Sequence, residues 1–300
     1  MRVVPIPPYL DDRTFDAVAA AIGDWPPGTR LLFDARPTRW ASPFGFTALL
    51  TAGQALREAG LDTPRFAVPD SDDVRSYWAK AGFFQHAAEL FEIHGKVPRR
   101  APPKVSDVLL PVTPVRASED VHAVVGRIQE QAARILTHEL SLEAAATMRF
   151  SMALSEACQN VIEHAGTGGW VAVHAFNFRR RLGRKAVVIA VSDAGIGFRR
   201  SLEATAARTY GDRWNDAAAI QAALYHNLSR FREQGRGQGL ASIKRFSAGW
   251  MGKISIRSGT ARVSTPVEWD DEPVQIEGLA WFPGSQVQIV IPAKEPTASE

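Results

Sequence analysis

Between Arg149 and Ala165 the chain reads RFSMALSEACQNVIEHA, and Phe150, Leu154, Cys158, Val161 and Ala165 recur every three or four positions. That spacing predicts a helix, because residues three and four apart stack on one face. The same winding puts Glu156, Asn160 and Glu163 on a separate polar stripe. A second helical spacing, Val121, Val124, Val125, Ile128, Ala132 and Ile135, covers Asp120 to Leu136. Further on the period changes. Ala186 to Val191 is apolar throughout, which suits a central strand. Trp170 to Phe178 is its partner across a basic turn around Gly183, and Lys253 to Ser258 is another strand. Gln286 to Pro292 alternates through Val287, Ile289 and Ile291 and completes the predicted sheet.

The first part of the chain alternates differently. After a Pro-rich lead-in come a helix at Asp11 to Ile22, a turn at Trp25 to Gly28 and a short buried strand at Arg30 to Ala35. A helix at Phe44 to Ala59, a strand at Arg65 to Val68 and a helix at Asp72 to Ala81 follow, with Gly60 and Gly82 just past the two helices. Strand and helix in turn, with short connections, argue for an α/β sandwich. Lys96 to Glu119 holds five prolines, Pro98, Pro102, Pro103, Pro111 and Pro114, which block a continuous helix. It reads as a semi-rigid spacer whose middle, Val108 to Val115, adds an edge strand to the second domain. The expected division is 1–95, a Pro-rich linker at 96–115, and 116–300.

Composition changes this picture little. Three hundred residues suit two domains. A hydrophobic share of 45% with 22% charged residues is ordinary for a globular chain with real cores. Lys and Arg number 35 against 32 Asp and Glu, too small an excess to argue for direct nucleic-acid binding. The basic run Arg179 to Lys185 reads as a solvated hairpin tip. Cys158 is the single cysteine, has no internal disulfide partner, and falls on an apolar stripe as a core residue. The N-terminus lacks an apolar signal region, and no apolar run nears the roughly 18 residues that span a bilayer. The expectation is a cytoplasmic protein with no membrane partner.

Two glycine-rich stretches follow the Glu156–Asn160 helix, SDAGIGF at Ser192 to Phe198 and GRGQGL at Gly235 to Leu240. Each alone is weak: DAGIG is equally a turn after a strand. Together and in this order, the three resemble the N, G1 and G2 boxes of the GHKL ATPase superfamily, which includes gyrase, histidine kinases and MutL. The match is closest to the anti-sigma-factor serine kinases. The resemblance implies a two-layer Bergerat fold with helices on one face of a mixed sheet, and Mg²⁺-ATP as the cofactor. Asp193 would accept a hydrogen bond from the adenine amino group, with Gly195 and Gly197 leaving room for the base. Asn160 would be the metal ligand, its carbonyl oxygen suiting a hard cation that keeps several waters. Glu156, one turn earlier, would take a proton from an attacking hydroxyl. Gly235, Gly237 and Gly239 would present N–H groups to phosphates at the start of the helix from Leu240 to Gly249, with Arg236 adding charge. His164 is placed near phosphate or in a structural hydrogen bond. PGSQVQIVIP resembles the start of the family's last strand, where the hydroxyl of Ser285 reaches adenine. No lysine follows Ser285, unlike the gyrase and MutL branches. Arg199 to Gln234, with a helix at Trp214 to Phe231, corresponds to the ATP lid and is expected to move. His138, only 22 positions before Asn160, is not read as the phosphoacceptor of a sensor kinase.

The run FDARPTRWASPFGFTALL, Phe33 to Leu50, resembles the signature of STAS domains. Val74 to Ala87 is similar to that family's later helix and its glycine-led strand. In STAS regulators a serine in the first run accepts a phosphoryl group from a GHKL kinase; here Pro43 stands at that position and Ser42 before it. Proline has no hydroxyl, so the domain reads as a degenerate STAS-like scaffold, with Ser42 and Thr38 more suited to capping. The expected protein is therefore a STAS-like α/β sandwich followed by a Bergerat domain. It would act as a serine/threonine kinase on a protein partner, a STAS-type regulator or a sigma factor, with room for a homodimer. The alternatives are a nucleotide-gated binding module without catalysis and a slow ATP-hydrolysing dimerisation clamp. The segment Thr260 to Trp281 has no assigned role at this level.

Overall fold

In the computed structural model, which describes residues 1–24, 28–98, 108–127, 144–160, 166–178, 182–226, 228 and 238–293, two sheets of opposite habit face each other across one buried helix. The N-terminal sheet contains β1 (Arg2–Pro5), β3 (Leu31–Asp34), β5 (Arg65–Ala67) and β6 (Glu92–His94) in the order β1-β3-β5-β6, every pair parallel. Parallel neighbours need crossovers. These are supplied by α1 (Phe15–Ile22), α2 (Pro43–Glu58), α3 (Asp72–Lys80) and α4 (Phe83–Leu90). A two-residue parallel pair, β2 (Tyr9–Leu10) with β4 (Trp40–Ala41), closes the start of α2.

Three local expectations change. The Pro-rich lead-in holds β1, whose pairing with β3 its prolines do not prevent at a sheet edge. α1 begins at Phe15, not Asp11, because the Asp11 carboxylate accepts from the Arg13 and Thr14 N–H groups and folds the preceding residues into a turn. Gly82, at φ 79°, turns the chain into α4, so a helix stands where a strand was expected and β6 follows it.

Among the described residues the larger sheet has seven strands, in the order β12-β11-β10-β13-β9-β8-β7. They are β7 (Val108–Val115), β8 (Gly169–Asn177), β9 (Lys185–Asp193), β10 (Lys253–Gly259), β11 (Ala261–Ser264), β12 (Gln275–Ile276) and β13 (Phe282–Pro292). Neighbours are antiparallel throughout, not mixed. The helical excursion after β9 does return the chain in the parallel sense, but β13 inserts between β9 and β10 and pairs antiparallel with both. The proline-bearing β7 is the edge strand, as its sequence led one to expect.

α5 (Ala144–Asn160), α6 (Gly197–Tyr210), α7 (Asp216–His226) and α8 (Gln238–Ala248) accompany this sheet. Phe150, Leu154 and Cys158 of α5 and Ile243 and Phe246 of α8 join Val171, Val173, Val187, Ile189, Val191, Ile254, Ile256, Ile289 and Ile291 in one core. Residues 118–127 are also helical, and Val121 and Val124 enter the same core. Burial pushes the Cys158 thiol up to about 12, so it stays a neutral packing group. Within the interval expected to be a lid, α6 and α7 are tied together by their own apolar cluster around Leu202, Trp214 and Ala219. Asp216 accepts from Thr260 at 2.8 Å, and Tyr225 donates to Ser264 at 3.1 Å, so α7 is held to the sheet at both of its ends.

The opposite face of the same sheet is also covered. α2 buries every residue from Pro43 to Leu56 and packs on β8, β9 and β13. Trp170, Ala172, Ala190 and Phe282 share a core with Phe15, Phe33, Phe46 and Phe66 of the N-terminal unit. His174 is fully buried there with Nδ1 3.1 Å from the Tyr77 hydroxyl, and burial drives its pKa down to about 3. Beside this core is an ionic cluster. Lys253 pairs with Asp270 and Glu272 at 3.0 Å each, and Arg13 pairs with the same two carboxylates. Arg257, with 0% of its side chain exposed, pairs with Asp16 at 2.8 Å, and Arg262 bridges Asp16 and Glu272. The segment from Thr260 to Trp281 thus has a structural role: its Asp270 and Glu272 carboxylates bind Arg13, just before α1.

Candidate functional site

β9 ends at Asp193, and the alternation of the strand aims this side chain to the helix-bearing face, with Val191 and Ile189. Ser285 of β13 is its direct neighbour in register. The Ser285 hydroxyl donates to Asp193 Oδ2, and the Gly195 N–H donates to Oδ1 at 2.9 Å. Asp193 is only 4% exposed, and burial lifts its carboxyl to about 6 despite those donors. Among the described residues no cation pairs with it; its partners are neutral N–H and O–H groups. Such a carboxylate has acceptor capacity for a further N–H donor, such as an exocyclic amine.

A tight turn locks this geometry. Gly284 has φ 68°, and a Cβ there would lie 2.0 Å from the Asp193 carbonyl oxygen. Gly197 has φ 71°, and a Cβ there would meet Ser258 Oγ at 2.7 Å. Ser258 itself donates to the Gly284 carbonyl at 2.7 Å and accepts from the Phe198 N–H at 3.1 Å. The space beside Gly197 is therefore filled by the protein's own turn. Ser258 carries no motif of its own, and the Pro-Gly dipeptide before Ser285 is the sequence signal of the turn.

α5 packs on the same face of the sheet through Leu154 and Cys158. Glu156 is exposed on it, and Asn160, one turn later, is half-buried at the end of the described helix. Gly239 and Leu240 lie in the first turn of α8, which packs against α5. Leu240 is half-buried between the main core and the α6–α7 cluster. His138, His164, Gly235, Arg236 and Gly237 lie outside the described residues. The structure thus brings Asp193, Gly195, Gly197 and Ser285 together and puts Glu156, Asn160 and Leu240 on helices over the same face.

Residues 145–294 match the family described as histidine kinase-, DNA gyrase B-, and HSP90-like ATPases. The chain belongs to this family. The match spans half of the 300 residues and takes in α5, β8 to β13 and α6 to α8. Among curated proteins, none matches the chain. ATPase domains of this family bind ATP, typically with Mg²⁺.

The chemistry present fits both. Asp193 is a buried acceptor with neutral donors around it, as an adenine amino group requires. Among the described residues no three His, Cys, Asp or Glu side chains gather into a metal site. A phosphate-borne Mg²⁺ does not need one, because it keeps most of its waters and takes one or two protein oxygens. No helix among the described residues is long and apolar enough to cross a membrane.

Proposed function

We propose that this chain is a Mg²⁺-ATP-dependent regulatory kinase that phosphorylates a serine or threonine on a separate protein. The observation that carries this reading is a neutral-donor-held Asp193 together with an exposed Glu156 on the helix that carries Asn160. Asp193 and Ser285 read the adenine. The Asn160 carboxamide oxygen serves Mg²⁺, and the G2 glycines with Arg236 cradle the phosphates. Glu156, open to an incoming macromolecule, takes the proton of the attacking hydroxyl. That oxygen bonds to the γ-phosphorus as the bridge to the β-phosphate breaks, and ADP leaves.

Residues 1–95 form the degenerate STAS-like unit in this reading, and the linker at 96–115 gives its second half, β7, to the ATPase sheet. The unit's own hydroxyls support an acceptor elsewhere. Ser42 is 3% exposed and accepts from the Gly45 N–H at 3.1 Å as a helix cap, and Thr38 is 2% exposed. Pro43 occupies the first turn of α2. Supply of the acceptor by a partner, a STAS-type regulator or a sigma-factor complex, follows from this. Gln286, where the gyrase and MutL branches near this point carry a lysine, is fully buried on the other face and donates to Pro283 O at 2.9 Å, which speaks against a clamp-type ATPase.

The test is γ-labelled ATP with purified STAS-domain proteins from the same cell. Label on a partner serine or threonine, lost in Glu156→Ala, is the expected result. Released phosphate alone would favour the clamp, and retained ATP affinity with neither product would favour a nucleotide-gated binding module.

A further inference from the structure

α2 belongs to the N-terminal unit, outside the residues that match the ATPase family, yet its polar stripe bonds to the strand ends that carry Asp193. Thr47 Oγ1 donates to the Phe44 carbonyl at 3.2 Å, which leaves it as the acceptor from Ser192 Oγ at 2.9 Å. Both hydroxyls are fully buried. Two turns along α2, Gln54 Oε1 accepts from Trp170 Nε1 at 2.8 Å, and Gln54 Nε2 donates to the Thr167 carbonyl at 3.0 Å. Trp170 is opposite Ser192 in the β8–β9 register, and Gly169 is opposite Asp193. Adjacent side chains of a strand point to opposite faces, so holding Ser192 from one side fixes the pleat that aims Asp193 to the other.

We infer that Thr47 and Gln54 are positioning residues of the nucleotide pocket: from the N-terminal unit they set the alignment of Asp193 by bonding Ser192, Trp170 and Thr167. This rests on the reading of Asp193 as the adenine acceptor. The N-terminal unit is then part of the nucleotide-binding apparatus, and a partner that shifts α2 shifts ATP affinity. By linkage, ATP shifts that partner's affinity by the same factor.

The experiment measures ATP and GTP binding by calorimetry on the full chain with Mg²⁺, in Thr47→Val, Thr47→Ser and Ser192→Ala. Guanine carries a carbonyl where adenine carries its amino group, so an aligned Asp193 rejects GTP. Thr47→Val is expected to weaken ATP by about three- to tenfold, the worth of one hydrogen bond. GTP, which the aligned carboxylate rejects, should bind no more weakly than before, so the ATP/GTP ratio falls by at least the same factor. Thr47→Ser restores the hydroxyl and should bind ATP within about twofold of the parent, since the lost methyl makes no hydrogen bond. Ser192→Ala removes the same bond from the other side and should match Thr47→Val, which covers the case of a poorly folding Thr47 variant. Equal losses for ATP and GTP, or an equal loss in Thr47→Ser, would mean that Thr47 only packs and would overturn the inference. Asp193→Ala separates the two levels. If it abolishes ATP binding while Thr47→Val and Ser192→Ala bind like the parent, the inference fails and the pocket stands. If Asp193→Ala binds ATP normally, the pocket assignment fails and the inference falls with it.

Discussion

Both faces of the seven-stranded sheet are buried, but with different chemistry. Toward α5 and α8 the sheet presents Val171, Val173, Ile189, Ile254, Ile256 and Ile289, and the contact is apolar. Toward the N-terminal unit the same strands present Ser192, Lys253, Ser255, Arg257, Arg262, Gln286 and Gln288, each buried. Apolar burial is non-directional and tolerates rearrangement that keeps volume and pattern. Buried charges cost several kcal/mol per ion on transfer from water, so they persist only where their partners meet them in one arrangement. Apolar burial stabilises both faces, through Trp170, Ala172, Ala190 and Phe282 on the second, while the ion pairs of that second face specify how the N-terminal unit docks. A docking that exact lets single hydrogen bonds of α2 reach the nucleotide side.

The largest expected effect breaks the polar face. Asp16→Ala leaves the fully buried Arg257 without its carboxylate and should cost about 3–5 kcal/mol in denaturant unfolding. Pairing it with Arg257→Met should recover much of that loss, which no apolar-face substitution could do. Ile289→Ala on the other face is expected to cost about 2–5 kcal/mol, with no rescue from the N-terminal side.

The strand end that serves both faces titrates. Burial raises the Asp193 carboxyl to about 6, although Ser285 and Gly195 pull it down. The ionised carboxylate accepts from the adenine amino group more strongly than the neutral acid does, so ATP affinity should fall as pH drops through about 6 and level off above it. Asp193→Asn removes that titration and should flatten the profile. The stability effect has the opposite sign. The unfolded chain releases this proton near 3.8 and the folded chain near 6, so the contribution to stability falls between those values as pH rises. Asp270 behaves conversely: burial alone would raise it, but the Glu272 N–H, Lys253 and Arg13 hold it at about 2. Its contribution is present above 3.8 and lost as pH falls toward 2, so the polar face should give way first in acid.

The smallest effect concerns Ser42. Its loss in Ser42→Ala should cost about 1 kcal/mol, a helix cap's worth, and leave phosphoryl labelling of a partner unchanged.

Much of the apolar face was legible in the sequence, because Ala186 to Val191 and the alternation from Gln286 to Pro292 state which residues seek a core. Asp193 and Ser285 were legible through their motifs, and their register in β9 and β13 explains why two distant stretches meet. What covers the polar face was not. Lys253, Ser255 and Arg257 alternate with isoleucines as they would on a half-solvated strand, and local pattern reports polarity without naming the partner. Ser258, Gly284 and Thr47 escaped for a related reason. Each acts through a contact many residues away in the chain, which the local pattern of its helix, strand or turn does not name. In the interval assigned to the lid, the packing of α6 on α7 was not legible, because an alanine-rich stretch hides how well it packs until Trp214 supplies the volume between the helices.

The most direct test of the pocket is a comparison of ATP with N6,N6-dimethyl-ATP, which lacks the amino hydrogens, in the parent chain and in Asp193→Asn. The account predicts that the parent loses at least about tenfold in affinity on dimethylation, as expected for a buried charged acceptor left unpaired, and that much of this penalty disappears in the variant. Equal affinity of the parent for both nucleotides would contradict it.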